Sequence, residues 1–163
     1  MDIATPPAEQ ALINALVGRF FSLFTNRADR VPDLSEIQHL CLPECVIVHH
    51  AGDRMNVMSL ASFTTPRQQL LTEGRLTGFA EWEESSQTQI HGHLAQRLSL
   101  YCKEGLLDGQ PFTARGLKQM QFVRTPQGWR ISAMSWQDAQ PDWTPPEQLP
   151  LPIQAMSNCV GGD

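Results

Sequence analysis

Apolar side chains recur three and four residues apart at the start of the chain, at Leu12, Leu16, Phe20, Leu23 and Phe24. That spacing lays one face of an α-helix against a core. Thr5 followed by Pro6 reads as an N-cap with proline at the first helical position, so the pattern predicts one long amphipathic helix over roughly 6–26. Asp33 and Glu36 form a D-x-x-E capping box ahead of Leu34, Ile37 and Leu40, and Pro43 marks the end of a second, short helix. Thr65 as cap, Pro66 at the first position and Gln68 three residues after the cap repeat the start signal. Gly74 then supplies the stop of a third, brief helix.

Between the second and third helices the run Cys45–His50 is β-branched and apolar, Gly52-Asp53 is a turn signal, and Met55–Met58 returns as a partner strand. From Phe79 onward the period is that of strands, with Glu81, Glu83 and Thr88 spaced along Phe79–Ile90. Gly92-His93 suits a two-residue turn that wants glycine first, so Leu94–Cys102 pairs back on that strand. Lys103–Pro111 reads as a looser connection into the longest hairpin, Arg115–Asp138, where Pro126 and Gly128 fit a three-residue loop with a bulge. No helix follows. The order predicts an α+β protein, three helices packed on one face of a curved antiparallel sheet, an architecture that often encloses a small-molecule cavity.

A chain of 163 residues fits a single domain with a core of its own. The domain is placed at 1–140, and the proline-rich stretch at 141–163 reads as an extended tail against the body or a partner subunit. A net charge of −5 with no basic stripe excludes nucleic acid as a partner. Cys41, Cys45, Cys102 and Cys159 lack metal-finger or redox spacing and suit free thiols in a reducing cytoplasm. No apolar run nears the ~20 residues that span a bilayer, and the start lacks the basic flank and apolar centre of a signal peptide.

The helix pattern Leu12/Leu16/Phe20/Phe24, the Ile90–Ala95 turn and the run Gly128-Trp129-Arg130-Ile131 together resemble the nuclear transport factor 2-like superfamily, and within it the SnoaL-like branch, over about residues 8–139. The resemblance implies a cone-shaped cavity between bent sheet and helices and a homodimer through the sheet. It also implies either small-molecule binding or acid/base chemistry beside a carbonyl, as in ketosteroid isomerase-like, scytalone dehydratase-like and polyketide cyclase-like members. Ketosteroid isomerase-like members place a Tyr in the first helix. Here the only tyrosine, Tyr101, lies on a later strand.

Of the adjacent His49 and His50 one must face inward, and alternation with Val46 and Val48 favours His50, as a general base or as a satisfied core histidine. On the last strand Arg130, Ser132, Met134, Trp136 and Asp138 share one parity, taken as cavity-facing, with Trp129, Ile131 and Ala133 on the other. Trp82 is placed facing the cavity, with Glu81 and Glu83 solvated. The expected catalytic pair is His50 and Asp138, in a pocket of Phe20, Phe24, Val48, His50, Met58, Trp82, Met134 and Trp136. His91 and His93 sit at a turn without a third ligand, so no metal is expected, and no cofactor. Arg97 and Arg115 could meet a ligand carboxylate but more often form surface ion pairs.

The preferred reading is a binding module for a small, mainly apolar molecule. The second is a lyase or isomerase with His50 as base, and the third an interaction module using the sheet and the tail.

Overall fold

The computed structural model describes residues 7–149. Helix α1, Pro7–Ser22, buries Ile13, Leu16, Val17, Phe20 and Phe21. Leu12 lies just off that stripe and is 52% exposed, while Leu23 and Phe24 are buried in the turn after the helix. The Thr5-Pro6 start lies outside the described residues. The second helix is a 3-10 turn, Leu34–His39, capped by Asp33, whose carboxylate accepts from the Ser35 N–H at 3.0 Å. Pro43 does not end it, because a strand already begins at Cys41.

Helix α2, Leu60–Thr72, starts earlier than Thr65. Ser59 and Ser62 cap each other reciprocally, and Pro66 sits inside the helix on an exposed face. Gln68 bridges instead of capping: its side chain accepts from Leu34 N–H at 2.7 Å and donates to Pro32 O at 2.8 Å, tying α2 to the 3-10 turn.

Six strands follow the turn signals closely: β1 Cys41–Ala51, β2 Arg54–Met58, β3 Leu76–His91, β4 Leu94–Leu107, β5 Gln110–Thr125 and β6 Gly128–Asp138. They form one sheet in the order β2-β1-β6-β5-β4-β3. The expectation of a wholly antiparallel sheet is corrected at one place, since β1 and β6 pair in parallel. The four-strand meander from β3 brings β6 back beside β1 in the same direction. The loose connection expected at Lys103–Pro111 is instead a two-residue turn. Asp108 (φ +49°) and Gly109 (φ +81°) are both left-handed, the backbone of a type I′ turn, so β4 and β5 run straight up to it.

The helices cover one face only. Bulges decide which side chains reach it: Gln121 and Phe122 pair with Ala133 and Ile131, so Ser132 is an extra residue. Trp129 and Ile131 face the core below it, and Met134 and Trp136 above it. The single parity expected for Arg130 through Asp138 is therefore broken at Ser132. On the open face Leu100 is 1% exposed without joining the main core. Opposite it in register is Ser85, whose hydroxyl accepts from the N–H of Leu149, itself buried, so the first part of the proline-rich segment folds back onto β3. Residues 150–163, with Cys159, lie outside the described residues. Among the described residues no helix is long and apolar enough to cross a membrane.

Candidate functional site

A recess of about 370 Å³ opens between the helices and the inner sheet face. Phe20 and Phe24 come from the end of α1, Phe63, Arg67, Leu70 and Leu71 from α2, and Phe79, Phe112, Met134 and Trp136 from the sheet. Into this apolar wall the strands project His49, Glu81, Lys103 and Lys118. Such a mixture of aromatic surface with a few convergent polar groups marks a small-molecule site.

Alternation in β1 is set by Cys45 and Ile47, which are 3% and 0% exposed. His49 shares their face. Its ring stacks on Trp136, centroids 4.7 Å apart and planes 11° from parallel, and its Nε2 lies 3.6 Å from Asp138 Oδ2. The other Asp138 oxygen accepts from the Tyr101 hydroxyl at 2.5 Å and from Lys103 Nζ at 2.8 Å. Tyr101 reaches across from β4 because β5 carries a glycine between them: a Cβ on Gly116 would stand 2.2 Å from the tyrosine oxygen. Lys118 Nζ donates to Glu81 at 2.8 Å and lies within 5.0 Å of the Phe20, Phe21 and Tyr101 ring centroids.

Burial pushes the Asp138 carboxyl upward, but the approach of His49, the Lys103 ammonium and the tyrosine hydroxyl outweigh it and hold the group well below the usual carboxylate range. Tyr101 is driven far up, by burial first and then by its bond to the ionised Asp138. Burial pulls Lys118 down against the attraction of Glu81, and it pulls Arg67 down against Glu81 and Asp138. The result is a fixed carboxylate behind a histidine, beside cations that gain from any new negative charge.

Of the expected pocket, Phe20, Phe24, Met134 and Trp136 line the recess, and Asp138 bonds to residues that do. Met58 packs against the core without lining it. Three placements are corrected. His50 is exposed on the open face, because the buried parity belongs to Cys45, Ile47 and His49. Val48 lies on that same open face, in a groove with Val46 and Gln119. Trp82 is 39% exposed, and its neighbours, expected in solvent, turn inward instead, Glu81 into the recess and Glu83 onto the buried Arg97 and Ser99.

Arg97, 5% exposed, is held by Glu83, by Asn14 at 2.7 Å and by Thr88 at 2.9 Å. Arg115 pairs with Glu84 at 2.9 Å. A groove of about 430 Å³ on the open face is lined in part by glutamine amides, and among the described residues no acid/base pair lines it. His49, Arg67, Lys103 and Lys118 were the residues sequence reasoning missed. The one available signal was the apolar setting of these charges within strand and helix patterns.

No family model matches the chain, and no curated protein matches it. Solved structures do. A nuclear transport factor 2-like superfamily protein from Salmonella enterica superposes with a TM-score of 0.66 at 12% identity, covering 81% of this chain and 92% of that one. A nuclear transport factor 2-like protein with a cystatin-like fold from Novosphingobium aromaticivorans gives 0.60 at 15%, over 80% and 81%. A hexachlorocyclohexane dehydrochlorinase from Novosphingobium barchaimii gives 0.61 at 11%, over 82% and 88%. At these identities the likeness is one of fold: this chain has the nuclear transport factor 2-like, cystatin-like α+β fold.

Proposed function

We propose that this chain, as a SnoaL-like variant of the nuclear transport factor 2-like fold, binds a small, mainly apolar, carbonyl-containing molecule in the recess under α1 and α2 and acts on it as a cofactor-independent lyase or isomerase. The observation that carries the reading is the His49 ring, stacked on Trp136 with Nε2 3.6 Å from an Asp138 carboxylate that Tyr101 and Lys103 keep ionised. The sequence ranked simple binding first because its pattern held no complete acid/base set. His49 with Asp138 supplies one.

The ionised Asp138 favours a proton on the facing Nε2 and leaves Nδ1, which has no protein partner among the described residues, as the base. Proton uptake makes an imidazolium that the same carboxylate steadies. The charge that develops on the substrate oxygen falls beside the Lys118 cation, which lines the recess and is itself buried. Lyase chemistry on this fold is supported by the likeness to a dehydrochlorinase.

The test is deuterium exchange at the acidic C–H of a panel of aryl ketones, followed by NMR in heavy water. Wild type is expected to exchange at least one of them, with a drop of ~10²–10⁴-fold in His49→Ala while the same ketone still binds. Ketones that bind without exchange, or exchange that survives His49→Ala, would leave only the binding reading.

The same reading includes a homodimer formed through the open sheet face. It is supported by Val46, Met55, Val57 and Leu94, which stand there 48%, 63%, 63% and 62% exposed.

A further inference from the structure

The ionisable side chains at the recess are His49, Arg67, Glu81, Lys103, Lys118 and Asp138. Four of them close into two ion pairs, Lys118 with Glu81 and Lys103 with Asp138, each at 2.8 Å. Arg67 is left over. Its guanidinium lies 4.1 Å above the Phe63 ring centroid and 5.5 Å from that of Trp136, and it makes one hydrogen bond, from Nη1 to the Phe63 carbonyl at 3.0 Å.

A guanidinium has five N–H donors. Among the described residues no fully buried side-chain nitrogen lacks a partner, so the unused donors of Arg67 open onto accessible space, and Arg67 lines the recess. Besides His49, three cations face two carboxylates there, an excess of one positive charge. Burial disfavours that charge, and Glu81 and Asp138 offset it only from beyond ion-pair distance.

We propose that the recess selects a monoanion, a flat aromatic carboxylate whose two oxygens take the free fork of Arg67 while its ring lies among Phe63, Phe79, Phe112 and Trp136. One guanidinium matches one carboxylate in both charge and fork geometry. A dianion such as a phosphate monoester would bring a charge that no further unpaired cation among the described residues answers. The proposal rests on the recess being the ligand site, and it stands whether or not turnover follows.

The full chain is titrated calorimetrically at pH 7 with 2-naphthoate and with its neutral isostere 2-naphthamide. Wild type is expected to bind the anion roughly tenfold tighter or more, the effect of a charge-assisted bidentate contact. Arg67→Gln brings the ratio to about one by losing affinity for naphthoate, with naphthamide little changed. Equal affinities in wild type, no binding of naphthoate, or a preference that survives Arg67→Gln would each overturn it. Should Arg67→Gln not fold, the wild-type ratio decides alone, and Arg67→Lys, which keeps the charge without the fork, should retain only part of the preference. Anion preference without deuterium exchange would keep this inference and remove the lyase reading. Exchange without anion preference would do the reverse.

Discussion

Gly116 is the smallest residue of the site and the one on which its electrostatics turn. Tyr101 on β4, Gly116 on β5 and Asp138 on β6 lie in one row across the sheet. The tyrosine can bridge that row only over a strand position without a Cβ. Gly116→Ala would place a methyl 2.2 Å from the tyrosine oxygen and 2.5 Å from the Gln137 carbonyl, and a backbone carbonyl cannot swing aside. The expected cost is ~1–3 kcal/mol in urea unfolding, with loss of the Tyr101–Asp138 bond. Unchanged stability would show that the row is looser than its geometry. Asp138 gives a second residue-scale prediction, with the sign set by linkage. Its folded pKa lies below the ordinary 3.8, so the folded protein gains stability from this group above that value and loses it as pH falls through the folded pKa. Asp138→Asn lacks that component. The stability difference between wild type and Asp138→Asn should therefore shrink as pH falls below about 4, as read from urea midpoints at stepwise lower pH.

Elements were legible in proportion to how local their signals are. Turns written by Gly-His, Gly-Asp and Pro-x-Gly appear where the sequence put them, because positive φ and the fixed ring of proline act within two residues. The Asp108-Gly109 turn was equally legible and was read as looser than it is. What escaped was facing. In β1 both parities are apolar, Cys45 and Ile47 on one and Val46 and Val48 on the other, so no local rule selects His49 over His50. In β6 the bulge at Ser132 switches the phase partway along, and nothing in the strand itself announces it. Glu81 and Lys118 were hidden for another reason: each is a charge that solvent would normally take, and only the partner 37 residues away makes burial tolerable. Helix α2 offers a direct contest between sequence and structure. If Ser59 is the cap, Ser59→Ala should cost about 1 kcal/mol in urea unfolding, while Thr65→Ala, exposed in the second turn, should cost a few tenths at most. Thr65 would be reinstated as the cap by the opposite order.

At the scale of the whole molecule the two faces of the sheet carry unlike chemistry. The helices cover the inner face and enclose the recess, while the outer face carries no helix among the described residues, and its charges include the Glu84–Arg115 pair. Its centre holds uncharged amides, Gln87, Gln89, Gln96, Gln119 and Gln121, in a groove that Val46 and Val48 also line. Val57 continues that surface toward the β2 edge, opposite Val48 in register. A centre poor in charge and set with exposed aliphatic side chains is the composition of a protein interface. The segment ending at Leu149 bonds to Ser85, the register partner of the buried Leu100, so at that point the chain itself takes the place a partner would fill. If two copies pair there, sedimentation equilibrium should report about twice the 18.2 kDa of one chain. Val46→Glu should shift the species to one chain by burying an unpaired carboxylate at the centre of the contact, while naphthoate binding on the opposite face is retained. A wild-type protein that sediments as a single chain at micromolar concentration would mean that the valines and amides face water, and the case for a second copy on this face would fall while the recess and its Arg67 selectivity stood untouched.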